Sequence, residues 1–367
     1  MKKVGILSMQ RIKNYGSFLQ AYALKTMIEE LGNKVEFVDY HVEEPIIKDN
    51  KKNNNTLSKG LNTLKGEESL KHKIQYIFHK RNFNKYFDLL GLTKEPNYNP
   101  KLDTLVIGSD EVFNCIQSNN NVGYSLELFG KNNNAKKVIT YAASFGNTTL
   151  DKLNKYGKTN EIKDLLNNIN VISVRDKNTN IIVKKLTNKE PLYHLDPVLA
   201  YDYINECDLI PDIKLKEKYL IVYAYSGRIS KEESKYIRKY AKEKGLKVYA
   251  IGGAQSCADK FIDCSPFEVL AYFKKAEMVI TDTFHGSIFS IITQSNFVTL
   301  VRKSVGTSYG NEEKLTFLLE QLNLNSRIVY DYNDISKTLD KKIDYKKTYE
   351  IINKERINTL SYLKENI

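Results

Sequence analysis

The run Thr281-Asp282-Thr283-Phe284-His285-Gly286-Ser287 joins one apolar stretch, MVIT, to another, SIFSII. The first reads as a buried strand and the second as a helix, so the polar residues fall at a strand-to-helix turn. Thr281, Asp282 or Thr283 can cap that helix. His285 then lies in its first turn, where the helix dipole lowers an imidazole pKa and backbone amides attract an anion. A bound phosphate or carboxylate raises the pKa again, which suits an acid recruited by its own substrate. Gly286 lets a ligand approach the backbone, with Asp282, Thr283 and Ser287 as neighbouring substrate contacts. A capping or packing role for His285 is the plainer alternative.

Asn14-Tyr15-Gly16-Ser17 is a second such turn. Its glycine and small polar residues at a helix start suit an anion. It is not a GxGxxG fingerprint and no Walker lysine follows, so an ordinary turn fits it equally well. Gly108-Ser109-Asp110-Glu111 places acids at a strand end, where Asp110 can act as a base or bind sugar hydroxyls, or simply form an Asx turn. Ala143-Ser144-Phe145-Gly146 is a similar polar loop and adds Ser144. Arg175, in Ser173-Val174-Arg175-Asp176, suits bidentate capture of a carboxylate or phosphate, or a structural pair with Asp176 or a neighbour. His72, His79 and His194 lack companion ligands. There is no HExxH, nucleophile elbow or metal-spaced acidic pair, so no metal and no cofactor is expected.

The elements that must position these residues alternate in type. The run at 4–9, a helix over 17–31 and a strand at 34–40 form a β-α-β unit, which predicts a parallel sheet. Leu24, Met27, Ile28 and Leu31 share one helix face, and Gly32 sits where a helix ends. Strands follow at 104–107, 138–141, 171–174 and 192–195. A second series lies at 219–225, 247–251, 278–281 and 297–301, with helices at 231–244, 266–275, 284–293 and 311–322. The fold class is α/β. Two Rossmann-like doubly wound domains are expected to face a cleft, as in GT-B-like glycosyltransferases, with ligands at the carboxyl ends of the strands.

The expected domains are 1–205 and 215–344, joined by a charged linker containing Pro211, with a helix over 345–367 packing back. A helical insert at about 41–102 interrupts the first domain, and a polar low-complexity stretch at 48–55 reads as a loose loop. The insert carries an apolar stripe of Leu70, Ile74, Ile77 and Phe78, later joined by Phe83, Phe87 and Leu90. It reads as a layer on the first domain or as a basic helix at a membrane surface.

The chain has 367 residues and a formal charge of +12. Its lysines are spread along the chain and mixed with asparagine, without a zinc-finger spacing or arginine stripe, so no nucleic-acid partner is expected. Phosphorylated metabolites or lipid-linked head groups are better matches to the charge. Cys115, Cys207, Cys257 and Cys264 form no CxxC pair and read as isolated thiols. With no signal-like apolar run at the start, a cytoplasmic location is expected, or one peripheral to the inner face of a membrane.

Taken in order, residues 14–24 (NYGSFLQAYAL), 108–114 (GSDEVFN), 173–176 (SVRD), Asp196-Pro197 and 281–286 (TDTFHG) resemble the polysaccharide pyruvyl transferase family. The resemblance implies a glycosyltransferase-like fold and transfer of pyruvate from phosphoenolpyruvate, as donor substrate, onto a saccharide as a ketal. The acceptor would be lipid-linked or nucleotide-linked. The family's histidine maps onto His285 as the acid, and its arginine onto Arg175 as a donor-binding group. Thr283 stands where many members carry arginine, and Phe113 where tryptophan is common. Two other functions remain open: a glycosyltransferase using a nucleotide sugar, with Gly252-Gly253 and Ser265-Pro266-Phe267-Glu268 as its base and diphosphate contacts, and a non-catalytic sugar-phosphate binding protein.

Overall fold

A computed structural model describes residues 1–48, 69–303 and 311–367; the stretch 49–55 of the expected loop lies outside them. Two six-stranded sheets are present, and every ladder pairing between their named strands is parallel. The first contains β1 (Lys3–Leu7), β2 (Lys34–Phe37), β3 (Lys101–Asp110), β4 (Asn134–Ala143), β5 (Ser173–Val174) and β6 (Leu192–Tyr193). The second contains β7 (Tyr219–Tyr223), β8 (Lys247–Ile251), β9 (Lys260–Phe261), β10 (Met278–Thr281), β11 (Phe297–Leu300) and β12 (Ile328–Val329). Central strands such as β7, YLIVY, and β11, FVTL, are buried throughout. A parallel strand covered on both faces requires such continuous apolar runs.

The strand orders are β2-β1-β3-β4-β5-β6 and β12-β11-β10-β7-β8-β9. Each order reverses once, between β1 and β3 in the first sheet and between β7 and β10 in the second. Doubly wound sheets bind ligands at the carboxyl ends of the strands flanking such a reversal. Register sharpens the placement. Asp110 pairs with Ala143, and Ala143 with Val174. Asp110, Ser144 and Arg175 therefore leave the first sheet along one edge. Thr281 pairs with Tyr223 and with Thr299, which aligns the loops after β7, β10 and β11 in the second.

The chain divides into two compact units. Tyr86–Tyr201 and Ile351–Ile367 belong to the first with the N-terminal β-α-β unit, and Asp202–Glu350 belongs to the second. The helix Leu70–Asn82, expected as a layer on the first domain, counts instead with the second unit. It packs beside β9 through Tyr76 and His79, whose rings lie 5.9 and 6.3 Å from that of Phe261. All four cysteines are buried and unbridged. No described helix is long and apolar enough to cross a membrane.

The C-terminal helix Lys346–Asn366 ends on the first sheet. Tyr362 donates to the Thr140 carbonyl at 2.7 Å, and Tyr141 lies 3.1 Å from the Thr359 hydroxyl. His194 is enclosed here, with its ring 4.5 Å from that of Tyr362 and its Nδ1 2.8 Å from the Ser173 hydroxyl. Burial lowers its pKa from 6.5 to about 4. The unfolded chain therefore takes up this proton first as pH falls. The neutral ring's contribution is complete above about pH 6.5 and declines toward pH 4, by up to about 3 kcal/mol. Unfolding measured across that range should show a stability loss that His194→Asn makes shallower; an unchanged slope in the variant would contradict the assignment.

Candidate active site

At the first sheet's edge Arg175 anchors a charge cluster. Its Nη1 donates to Asp196 Oδ2 at 2.6 Å and to the Ser109 hydroxyl at 3.3 Å. Its Nη2 donates to Asp110 Oδ1 at 3.1 Å. The guanidinium and the Asp196 carboxylate are buried, with side-chain exposures of 5% and 0%. Burial alone would lower the Arg175 pKa, yet the surrounding carboxylates, led by Asp196 and Asp110 and joined by Glu111 and Asp176, together outweigh it and raise it. Asp196 also caps the short helix Pro197–Ala200 by accepting from the Val198 amide at 3.0 Å. Asp176 is not Arg175's hydrogen-bond partner in this cluster; it caps the helix Lys177–Thr187 through Thr179.

Asp110 is held from two sides. Its Oδ2 accepts from the Ser17 hydroxyl at 2.7 Å, at the start of the helix Tyr15–Glu30. Its backbone is left-handed, with φ of 84°, an arrangement of appreciable strain for a residue with a side chain. Asn14 caps the same helix by accepting from the Ser17 amide at 2.7 Å, while Tyr15 and Gly16 are buried beneath it. Gly108 has φ of 116°, and a Cβ there would lie 2.3 Å from the Tyr141 carbonyl oxygen. Ser109 donates to the Ala142 carbonyl at 2.9 Å, and Ser144 accepts from the Gly146 amide at 2.9 Å. The anion nearest this helix start is thus the chain's own Asp110. Neutral hydroxyl donors, such as those of a sugar, suit this acid-rich edge better than a phosphate does.

At the second sheet Thr283 caps the helix Phe284–Ile292, accepting from the Gly286 amide at 2.9 Å. Thr281 donates to the Tyr223 carbonyl at 2.7 Å and accepts from the Thr283 amide at 3.1 Å. His285 sits in the first turn, its ring edge-on to Phe284 at 5.5 Å. Ser287 donates to the Thr283 carbonyl at 3.0 Å. The Gly286 amide is taken by the cap rather than offered to an anion. Gly286 itself is required by packing, because a Cβ there would lie 2.2 Å from the Thr281 hydroxyl and 2.7 Å from the Tyr223 ring.

Asp282 does not cap the helix; its carboxylate is fully buried. Neither carboxylate oxygen has a hydrogen-bond partner among the described residues. Two cations stand over Oδ2: Arg302 Nε at 3.6 Å and Arg228 Nη1 at 3.7 Å. Burial raises the Asp282 pKa, and the two arginines only partly offset it. Arg302 is further fixed by Glu233, which accepts from its two Nη atoms at 3.0 and 3.1 Å. Arg228 stacks on Tyr225, 4.9 Å from the ring centroid. Its side chain, like that of Arg302, remains about a third exposed, at 37% and 35%.

A family model described as polysaccharide pyruvyl transferase matches residues 14–304. The chain belongs to that family. The matched span contains both strand-end clusters, and membership makes the protein a transferase. Among solved structures it is similar to the UDP-GlcNAc 2-epimerase of Methanocaldococcus jannaschii, solved with UDP-GlcNAc and UDP, at 11% identity and a TM-score of 0.50, covering 99% of this chain and 100% of that one. It is also similar to a Listeria monocytogenes structure assigned as a UDP-N-acetylglucosamine 2-epimerase, at 10% identity and a TM-score of 0.50, covering 100% of this chain and 97% of that one. These likenesses show the shared two-domain Rossmann-like fold. A search of curated protein sequences returns no match.

The sequence reading did not single out Arg228 or Glu233. Arg228 lies in the loop after β7, and nothing in the linear order places that loop beside the one after β10. The β7–β10 pairing does so. The segments considered for a nucleotide sugar have roles in the fold. Ser265 and Glu268 form a reciprocal capping box, and a Cβ on Gly253 would lie 2.4 Å from the Ser226 amide nitrogen.

Proposed function

We propose that the protein transfers the pyruvyl group of phosphoenolpyruvate to a saccharide as a ketal, with the donor at the second unit's strand ends. The observation that carries this reading is His285, in a first helical turn after β10, along the same sheet edge as Arg228 after β7 and Arg302 after β11, the two arginines held over the buried Asp282 carboxylate. Two guanidiniums suit a donor bearing both a phosphate and a carboxylate. They also supply the charge that Thr283, in place of arginine, does not.

His285 gives a proton to the methylene carbon of the enol, leaving positive character on the adjacent carbon. A sugar hydroxyl attacks that carbon and loses its proton. Inorganic phosphate departs with its bridging oxygen, a second hydroxyl closes the ketal and gives its proton to the departing phosphate, and the proton of the first restores His285. The arginines stabilise the negative charge that phosphate carries away. The acceptor is a saccharide, lipid-linked or nucleotide-linked. No step calls for a metal or cofactor.

Thermal unfolding with phosphoenolpyruvate and with a panel of nucleotide sugars tests the donor. A ligand at a hundred times its dissociation constant adds about 2.7 kcal/mol to the folded state. Phosphoenolpyruvate is expected to raise the melting temperature, and Arg228→Ala to remove most of that rise. Stabilisation by a nucleotide sugar alone would make the protein a glycosyltransferase and point to Thr283 as the reason.

A further inference from the structure

The helix Leu70–Asn82 is mounted with its polar face inward. His72, Lys73 and His79 are 7%, 3% and 3% exposed, while Leu70, Ile74 and Phe78 are 59%, 42% and 55% exposed. The buried side is tied down by polar contact, since His79 Nδ1 lies 2.6 Å from Asp263 Oδ1. Spacing by four places Leu70, Ile74 and Phe78 along one stripe, with Ile77 beside them. Water-facing helices ordinarily turn such a stripe toward the core. Here the core-facing side is already occupied, and the apolar stripe is left on the surface.

Charge indicates what would cover it. Between Ser69 and Phe87 the chain carries Lys71, Lys73, Lys80, Arg81 and Lys85 and no acidic residue. Lys71 and Arg81 are exposed, and at 3.6 residues per turn both fall beside the apolar stripe. A second copy of the chain would bring the same positive charge against it. An apolar stripe flanked by exposed cations matches the boundary between acyl chains and anionic head groups. We infer that this helix is a peripheral docking surface for an anionic lipid bilayer. Ile74 and Phe78 enter the interface, and Lys71 and Arg81 meet the head groups. Such docking would bring the transferase to acceptors carried on lipid.

Flotation of the full chain with two kinds of vesicle tests the inference. One is phosphatidylcholine alone, and the other is phosphatidylcholine and phosphatidylglycerol in equal parts. The protein should float with the second and not the first, and salt should weaken the association. Ile74→Glu with Phe78→Glu, and separately Lys71→Ala with Arg81→Ala, should each lower apparent affinity by roughly tenfold or more. All four side chains are exposed or partly so, and circular dichroism together with donor-induced stabilisation in lipid-free buffer shows that the variants remain folded. Equal binding to both vesicles, or binding to neither, overturns the inference. So does a concentration-dependent dimer that Ile74→Glu with Phe78→Glu dissolves, which would make a second copy the occupant. Because the donor measurement contains no lipid, its failure and the failure of docking are read separately.

Discussion

Replacing His285 by alanine is expected to lower the turnover of phosphoenolpyruvate, followed as inorganic phosphate release with acceptor present, by roughly 10²–10⁴-fold, the usual contribution of a positioned proton donor. The KM for the donor should change far less, because the substitution leaves the proposed donor-binding charges, Arg228 and Arg302, in place. The substitution is also expected to leave the fold intact. His285 occupies the first turn, but the cap that starts the helix is Thr283, and the contacts holding the turn are the hydroxyls of Thr281, Thr283 and Ser287. A loss of kcat with an unchanged melting temperature would separate proton donation from structural support. If kcat survives and only the melting temperature falls, His285 is a packing residue and the acid lies elsewhere.

Much of this arrangement was legible before any coordinates, and the reason is physical. Parallel strands buried on both faces require unbroken apolar runs, so β7, β10 and β11 are visible as YLIVY, MVIT and FVTL. A polar residue following such a run must lie at a strand end, which is where a doubly wound fold does its chemistry. The two-residue edge strands β9 and β12 leave no comparable pattern. Nor does sequence show which strand ends are neighbours. Arg175 reaches Asp110 across 65 positions and Arg302 reaches Glu233 across 69. Those pairings exist only once strand order and register are set. The insert misled for a different reason: its apolar periodicity announces a helix but not which side of it the protein covers. His72 and His79, set aside as isolated, mark the buried side.

Arg175→Met is expected to destabilise the first unit by about 3–5 kcal/mol, the cost of removing one partner from a buried charge cluster. The change strands Asp196, whose side chain is 0% exposed, and withdraws one of the groups holding Asp110 in its left-handed conformation. Thermal or denaturant unfolding measures it directly. The double change Arg175→Met with Asp196→Leu should recover part of the loss, since a buried ion pair can often be exchanged for apolar packing at little cost. Arg175 is 5% exposed and enclosed with Asp110 and Asp196, whereas Arg228 and Arg302 keep about a third of their side chains exposed, so a dianionic donor meets the latter pair first. Donor-induced stabilisation, per mole of folded protein, should therefore survive in the double variant. If it vanishes there while the fold recovers, Arg175 touches phosphoenolpyruvate itself, as the family resemblance implies, and the donor cannot rest on Arg228 and Arg302 alone.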